Sequence, residues 1–371
     1  MKYAAEFVNS VGTDDLYEAN PCWQIAVNGD RPVGPILDVA DPTNLNKIIA
    51  RWREEYGGVS FFRGQRRLYH QLPLSGAFRN YPHEPLVPNI LSSFLQVCYE
   101  SKDCWSKLDQ MLFSDSSVMD FRNGFADVPE YALEGLFQHY EGGTRWLDVV
   151  DNLQVALWMA TRRYSNVGDA PGGPVQIVSE AREDDGGESV YLYLISLREL
   201  ESQFSGLSAT PDGTRLLDLR KALPARFLRP HAQHSALLRT GVPTSTEDGF
   251  DLGADDDAKC AILKIPLETA KDCCGGSLLS VETLFPDLNV DGGFEQISNL
   301  LKSRLLQAPK HLRISEEKFP PRYIDARSTE AKSLLRKRGD LEVLLRGDRQ
   351  NSSSPIYRER SIGYRAFQSH T

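Results

Sequence analysis

The sequence has little cysteine and none of the paired spacings on which cysteine-based sites depend. Its six cysteines include no Cys-x-x-Cys unit, and no histidine stands at metal-ligand spacing from any of them. Structural zinc sites normally show such local pairs. We therefore expect free thiols and no metal site.

Long hydrophobic runs are also missing. One of the longest, VYLYLISL at 190–197, falls far short of the roughly 20 residues of a membrane-spanning helix. The first fifteen residues, MKYAAEFVNSVGTDD, have one lysine and no apolar core of the kind found in secretory signals. With 41% hydrophobic and 25% charged residues, the composition is that of an ordinary globular protein. We expect a cytoplasmic protein with no membrane contact.

Positive charge is scarce in most of the chain but concentrated at its end. The net charge is −9, yet residues 301–371 contain sixteen Lys and Arg against eight Asp and Glu, so the remainder carries −17. A basic segment attached to an acidic body can contact nucleic acid or can pack on that body. The sequence leaves both alternatives open.

The order of predicted elements indicates mixed α and β structure. Residues 41–56 have the caps and apolar spacing of a helix, and VSFFRG at 59–64 follows as a buried strand. Residues 86–140 are mainly helical, TRWLDVV is a short strand, and NLQVALWMATRRY is a helix. Later segments read as strands, with GPVQIV and VYLYLISL joined as a hairpin. We predict an extension at 1–40, a main domain at 41–300 and a basic extension at 301–371.

Three stretches carry more polar chemistry than a protein core normally contains. The first is Arg63-Gly64-Gln65, at the exit of the strand VSFFRG. Glycine permits close backbone approach, and arginine offers a planar, permanently charged fork that suits phosphate. The same residues also fit a structural role, in which the arginine pairs with a core carboxylate beside a turn glycine.

The second and third stretches contain histidines. QHYEGGTRWLDVV, at 138–150, places His139, Tyr140, Thr144 and Asp148 within ten residues, a polar density that cores avoid. RPHAQHSALLR, at 229–239, fits either a second polar cluster or a polar loop that enters a strand. Two carboxylates are candidates for catalysis, Asp148 and Glu282, which ends a strand-like run. Spacing alone does not choose between them.

In this order the stretches resemble the FRG domain family, named for a Phe-Arg-Gly on its first strand. The similarity covers about residues 41–301 and includes Phe62-Arg63-Gly64-Gln65, Leu72-Pro73, Ser75, Arg79, Gln138-His139-Tyr140, Thr144-Arg145, Leu147-Asp148, Asn152, Ala156-Leu157, Gln233 and Leu284-Phe285-Pro286-Asp287-Leu288. The chain departs from the family pattern at Glu141, Gly143, Val149 and Val150. These departures bear on ligand affinity and on chemistry.

The FRG domain is in turn similar to the ADP-ribosyltransferase fold. The resemblance implies an α+β fold with a split β-sheet core, an inserted helical region and a basic C-terminal extension. It also implies NAD as cofactor, with Arg63 on the pyrophosphate or nicotinamide ribose and Gly64 allowing close approach. The other residues that it assigns to the site are Gln65, Asp148, His139 or Tyr140 stacked on nicotinamide, Thr144 on the ribose, and Glu282 or Gln233 beside the bond that breaks.

The function implied by the resemblance is an ADP-ribosyltransferase that modifies nucleic acid or protein. Such a protein would act as a bacterial toxin or antiphage defence effector, and an inhibitory or antitoxin partner would fit that role. Two alternatives stay open. One is an NAD glycohydrolase that uses the same site with water as acceptor, and the other is a nucleotide-binding module without turnover.

Overall fold

The computed structural model describes residues 2–3, 24–28, 31–39, 41–66, 125–141, 146–170, 173–183, 187–211, 213–239, 258–274, 278–297 and 322–338. Its helices are α1 (Pro42–Tyr56), α2 (Glu130–Glu141), α3 (Leu153–Ala160), α4 (Leu219–Ala222), α5 (Leu228–Ala232), α6 (Leu267–Asp272), α7 (Val281–Leu284) and α8 (Thr329–Arg338).

The strands are β1 (Lys2–Tyr3), β2 (Gln24–Asn28), β3 (Arg31–Asp38), β4 (Val59–Gln65), β5 (Leu147–Val150), β6 (Arg162–Ala170), β7 (Gly173–Glu180), β8 (Ser189–Leu197), β9 (Glu201–Phe204), β10 (Leu207–Ala209), β11 (Arg215–Asp218), β12 (Ser235–Arg239), β13 (Ala258–Pro266) and β14 (Arg322–Asp325). The content is α+β, as the sequence predicts.

A large mixed sheet organises the described residues. Its eleven strands run in the order β2-β3-β13-β8-β4-β5-β12-β11-β10-β9, with β1 paired to β13. Strand β13 pairs in parallel with β3 and antiparallel with β8, so both kinds of ladder are present. A second sheet has the order β14-β7-β6. Strand β4 therefore lies near the middle of the large sheet, between β8 and β5.

One face of the large sheet is covered by helices in two groups. Buried residues of α1, α3 and α6 share a core with Phe62, Leu194 and Leu263 of the central strands. Helix α2 packs instead with Leu217 and Leu237 of β11 and β12. The two helix groups lie on the same face, because Leu237 pairs with Asp148 and so shares a face with Val150 of the first core.

Several local predictions are confirmed. The helix predicted at 41–56 is α1, and its cap is Asp41, whose Oδ1 accepts from the Asn44 amide at 2.9 Å. The apolar strand at 59–64 is β4, and the short strand before 151 is β5. Each of these signals is local, since it depends on side-chain periodicity and on a cap within one segment.

Two local predictions are wrong, and a third is right in part. The helix predicted at 152–164 is α3, but it ends at Ala160, where the Thr161 hydroxyl donates to the Trp158 carbonyl, and β6 begins at Arg162. Strands β7 and β8 do not form a hairpin, because β7 pairs with β6 and β14 in the second sheet. The strand-like run that ends at Glu282 is the short helix α7, capped by Ser280.

Part of the basic C-terminal segment packs on the body. Strand β14 pairs in parallel with β7, and Ala331 and Leu335 of α8 join a small core with Val175 and Ile177. The ring of Tyr323 stacks on Phe285 at 4.2 Å between centroids. For residues 322–338, packing on the acidic body is therefore the observed arrangement.

No helix within the described ranges is long and apolar enough to cross a membrane. Among the same residues, no group of three or more His, Cys, Asp or Glu is arranged to hold a metal ion. The cysteines whose surroundings are described, Cys273 and Cys274, have free thiols.

Candidate functional site

The three polar stretches lie on three adjacent strands of the large sheet. Strand β4 carries the first, β5 carries the end of the second, and β12 carries the end of the third. Phe62 pairs with Val150, which in turn pairs with Ser235. The Nη1 atom of Arg63 donates to the Asp148 carbonyl at 2.5 Å, so stretches separated by 85 positions are joined directly.

Gly64 has little space above its Cα atom, and helix α3 fills it. A Cβ placed there would lie 1.9 Å from the Ala156 carbonyl oxygen and 2.9 Å from the Ala160 Cβ. The close approach that this glycine permits is therefore that of α3. From the sequence we expected that Gly64 would let a cofactor approach the strand closely. In the structure, the space next to its Cα atom is occupied by helix α3.

Arg63 and Gln65 project from the opposite face of β4. Successive side chains of a strand alternate between faces, and Phe62 and Gly64 face α3. Both polar residues are buried, with 7% of Arg63 and 2% of Gln65 exposed. Neither the nitrogen nor the oxygen of the Gln65 amide has a hydrogen-bond partner within the part of the chain that the structure describes. An unpaired buried amide costs about 1–3 kcal/mol.

His139 lies on the helix-covered face, at the end of α2. Its Nε2 atom is 2.5 Å from the Ser235 hydroxyl. Burial, together with the nearby charge of Arg229, lowers the pKa of His139 to about 3. The imidazole is therefore neutral at pH 7 and can donate or accept one hydrogen bond at each nitrogen, according to its tautomer.

Asp148 shares the face of Val150 and Ser235 by strand alternation. The sheet therefore separates two groups of predicted site residues. Arg63 and Gln65 project from one face, and His139 and Asp148 lie on the other.

Tyr140 is a core residue in this fold. Its hydroxyl donates to Asp291 Oδ2 at 2.6 Å, and the same carboxylate accepts from the Arg229 backbone amide at 3.0 Å. Burial, together with the negative charge of Asp291, raises the pKa of Tyr140 above its ordinary range. A ring held in this way is not placed to stack on a nicotinamide without a rearrangement of the core.

The guanidinium of Arg229 lies within a box of four aromatic rings. Its carbon atom is 4.5 Å from the ring centroid of Phe294, 4.8 Å from Tyr140, 5.3 Å from Tyr323 and 5.9 Å from Phe285. Cation–π contacts of this kind offset part of the cost of burying the charge. We call this arrangement the Arg229 box.

The two residues predicted for the last catalytic role have different surroundings. Gln233 is buried, and its amide nitrogen donates to the Leu284 carbonyl at 2.7 Å. It therefore fastens α5 to α7. Glu282 is exposed in the first turn of α7, where its charge acts on Arg327, whose pKa is raised chiefly by Asp325. Thr144 lies outside the described residues.

A second polar cluster adjoins the three strands, and sequence reasoning missed most of it. We name it the His234 cluster, and its members are Asp151, Asp218, Arg220 and His234. Arg220 binds both oxygens of Asp151, at 3.2 and 2.5 Å, and its Nε binds Asp218 at 3.1 Å. The Nδ1 atom of His234 is 3.1 Å from Asp151 Oδ1 and 3.2 Å from Arg220 Nη1.

Within the His234 cluster, the interaction with Arg220 stabilises the ionised form of Asp218. Burial raises the pKa of Asp218, but its hydrogen bond and charge interaction with Arg220 outweigh this and leave the pKa below its ordinary value. Asp218 therefore remains ionised at pH 7. The members of the cluster come from three separate parts of the chain, at 151, 218–220 and 234. For this reason the sequence pattern identified only the histidine as a candidate site residue.

Comparisons of the chain with protein-family models, with curated proteins and with solved structures find no match.

Proposed function

We propose that the chain is an NAD-consuming enzyme of the ADP-ribosyltransferase type. The observation that carries the proposal is the pair formed by Arg63 and Gln65 on the central strand β4. Both side chains project from one face and are buried, and the Gln65 amide makes no hydrogen bond with any residue that the structure describes. The pair thus provides a positively charged guanidinium and, beside it, a side-chain amide that has no hydrogen-bond partner among the described residues.

The chemistry of NAD matches both groups. A carboxamide such as that of nicotinamide has one acceptor and two donors, so it can pair with the oxygen and the nitrogen of the Gln65 amide. The guanidinium of Arg63, whose Nη1 atom already donates to the Asp148 carbonyl, supplies a permanent positive charge that suits the pyrophosphate. A ligand with both groups would satisfy the amide that the folded chain leaves unpaired.

The reaction would break the bond between nicotinamide and ribose. Nicotinamide leaves with the bonding electrons, and positive charge develops on the ribose. A carboxylate that faces this charge lowers the barrier electrostatically. Glu282, the exposed carboxylate among our candidates, lies on α7, which packs in the core on the helix-covered face opposite to Arg63 and Gln65, and the amide of Gln233 already holds α7. A carboxylate for this role would therefore have to come from the face that carries Arg63 and Gln65. Thr144 remains a candidate for the ribose hydroxyls.

The acceptor in this proposal is a macromolecule, either nucleic acid or protein, and a defence or toxin role with an inhibitory partner follows from the same resemblance. A second candidate is a nucleotide-binding module without turnover. It is favoured by the engagement of Tyr140 and Gln233 in structural hydrogen bonds, since both were expected to contact ligand.

The proposal is tested by nicotinamide release from NAD, with and without added DNA, RNA or cell protein. Release that labels one added macromolecule defines a transferase and its acceptor class. Release with free ADP-ribose as the only product defines a glycohydrolase. Thermal stabilisation by NAD without release defines a binding module.

Two variants test directly whether Arg63 and Gln65 bind NAD. Arg63→Ala is expected to abolish stabilisation by NAD. Gln65→Met, which removes the unpaired amide at similar volume, is expected to stabilise the free protein by about 1–3 kcal/mol and to abolish stabilisation by NAD as well. Gains in stability at the expense of function are characteristic of binding sites.

Arg66 is the matched control for both variants. It is as buried as Arg63, at 7% exposure, but its guanidinium binds the backbone carbonyls of Arg182, Gly187 and Ser189. Arg66→Ala should therefore lower the melting temperature and keep the NAD-induced shift. Normal NAD binding by a folded Arg63→Ala protein would reject the site.

A further inference from the structure

The His234 cluster has the arrangement of a proton-transfer site. The side chain of His234 is 42% exposed, and its Nε2 atom makes no hydrogen bond with the residues that the structure describes. The Nδ1 atom, by contrast, lies 3.1 Å from the Asp151 carboxylate. In the tautomer that holds its proton on Nδ1, where Asp151 accepts it, His234 presents the lone pair of Nε2 for general-base catalysis.

The carboxylate of Asp151 is itself held in place. Arg220 binds both of its oxygens, and Asp218 binds Arg220 in turn. The Asp151 backbone amide also donates to the His234 carbonyl at 3.4 Å. These bonds fix the carboxylate relative to the ring, so Asp151, Asp218 and Arg220 are positioning residues.

The backbone of His234 adopts a conformation that non-glycine residues seldom use. Its φ is +54°, in the left-handed region. The conformation is held by the bond from its amide to the His231 carbonyl at 3.2 Å. Strained backbone that the surrounding structure maintains occurs preferentially at active sites and ligand clamps.

The cluster adjoins the strands that carry the proposed NAD site. Asp151 follows Val150, the last residue of β5, and His234 precedes Ser235, the first residue of β12. Val150 pairs with Phe62, the neighbour of Arg63. Along β5, Asp151 lies three residues beyond Asp148, whose carbonyl Arg63 binds, a distance of about 10 Å at the rise of a strand.

We propose that His234 is the general base that activates the acceptor in ADP-ribosyl transfer. This inference rests on the proposed function. The acceptor oxygen or nitrogen attacks C1′ of the nicotinamide ribose as the bond to nicotinamide breaks. Nicotinamide leaves as a neutral molecule with the bonding electrons, and the acceptor proton passes to Nε2 of His234. Asp151 stabilises the imidazolium, which then releases the proton to water.

The tautomer of His234 provides a test that needs no activity. Nδ1 cannot donate to Asp151 and accept from Arg220 at the same time, so the neutral ring holds its proton on one nitrogen or the other. Nitrogen-15 NMR of the neutral imidazole, assigned by the loss of its signals in His234→Gln, should show the proton on Nδ1. A proton on Nε2 would overturn the proposal, because that nitrogen could not act as a base.

Kinetics separate this inference from the function on which it rests. In His234→Gln, we expect NAD binding to persist and transfer to the acceptor, or to water, to fall about 100-fold or more, with partial rescue by added imidazole. His231→Gln is the control, since the structure gives that side chain no hydrogen bond within the described residues. Asp151→Asn should lower the rate and move the proton to Nε2.

Each kinetic outcome identifies what has failed. A wild-type protein that consumes NAD while His234→Gln is equally fast would overturn the role of His234 and leave the proposed function intact. A folded wild-type protein that consumes no NAD, with water or with any DNA, RNA or protein acceptor, would overturn both. A loss of NAD binding in His234→Gln would contradict the role of base and indicate a binding residue.

Discussion

The imidazole of His139 illustrates how the surroundings of one side chain fix its charge state. The ring lies at the end of α2 against the Ser235 hydroxyl, 2.5 Å away, and the charge of Arg229 acts in the same direction as burial. A neutral ring satisfies the hydroxyl without placing a second positive charge beside Arg229. In the unfolded chain this restriction disappears, and the ring protonates near pH 6.5.

Acid should therefore weaken the fold through His139. Its folded pKa is about 3, below the unfolded value, so the unfolded chain binds the extra proton as the pH falls below about 6.5. Above about pH 6.5 the proton equilibrium of His139 costs the fold nothing. Between that pH and pH 3, the free energy of unfolding falls by about 1.4 kcal/mol per pH unit. Urea unfolding of wild type and His139→Gln at several pH values measures the difference. Parallel pH dependences in the two proteins would contradict the assignment.

At the scale of elements, the contact between β4 and α3 determines which residues can occupy the centre of the sheet. The helix lies so close to the strand that its Ala156 carbonyl fills the position of a Cβ on Gly64. Ala156 and Ala160 are small enough to permit the contact, and both are buried in the same core.

Gly64→Ala should consequently push α3 away from β4. A methyl group at this position meets backbone atoms, which cannot rotate aside, and overpacking of a core costs about 1–3 kcal/mol or more. The free energy of unfolding measures the cost. Gly292→Ala is the control, since a Cβ at Gly292 meets nothing within 4 Å. Equal stability of the two variants would show that the helix adapts at no cost.

The elements also show how far sequence reasoning reaches. Periodicity and capping predicted α1 and β4, because those signals lie within one segment. The hairpin between β7 and β8 was wrong because strand pairing is nonlocal, and β7 pairs with the distant β14. The strands that carry the polar stretches, β4, β5 and β12, were predicted correctly. A sequence motif does not show, however, from which face of the sheet a side chain projects. Arg63 and His139 are thus separated by the sheet.

For the molecule as a whole, residues 322–338 connect the second sheet to the main core. Strand β14 extends the second sheet through β7. Tyr323 packs on the main core through Phe285 and also contributes one ring of the Arg229 box. The C-terminal part of the described chain therefore contributes to the stability of the rest.

Tyr323→Ala should lower the stability of the entire fold. It removes a ring stacked on Phe285 and one face of the Arg229 box, and we expect a cost of about 2 kcal/mol for this partly buried aromatic residue. Denaturant unfolding followed by tryptophan fluorescence measures it. Arg327→Ala is the control, because its side chain is 81% exposed and an exposed ion pair contributes less than about 1 kcal/mol. A Tyr323→Ala protein as stable as that control would contradict this role.

The Arg229 box also bears on the order in which the chain can assemble. Its rings are Tyr140 of α2, Phe285 just after α7, Phe294, and Tyr323 of β14, so the last ring is synthesised well after the arginine. Until then one face of the guanidinium remains in contact with water, because a charge is costly to bury without partners. The box can therefore close around this charge only when the segment that holds Tyr323 has been synthesised.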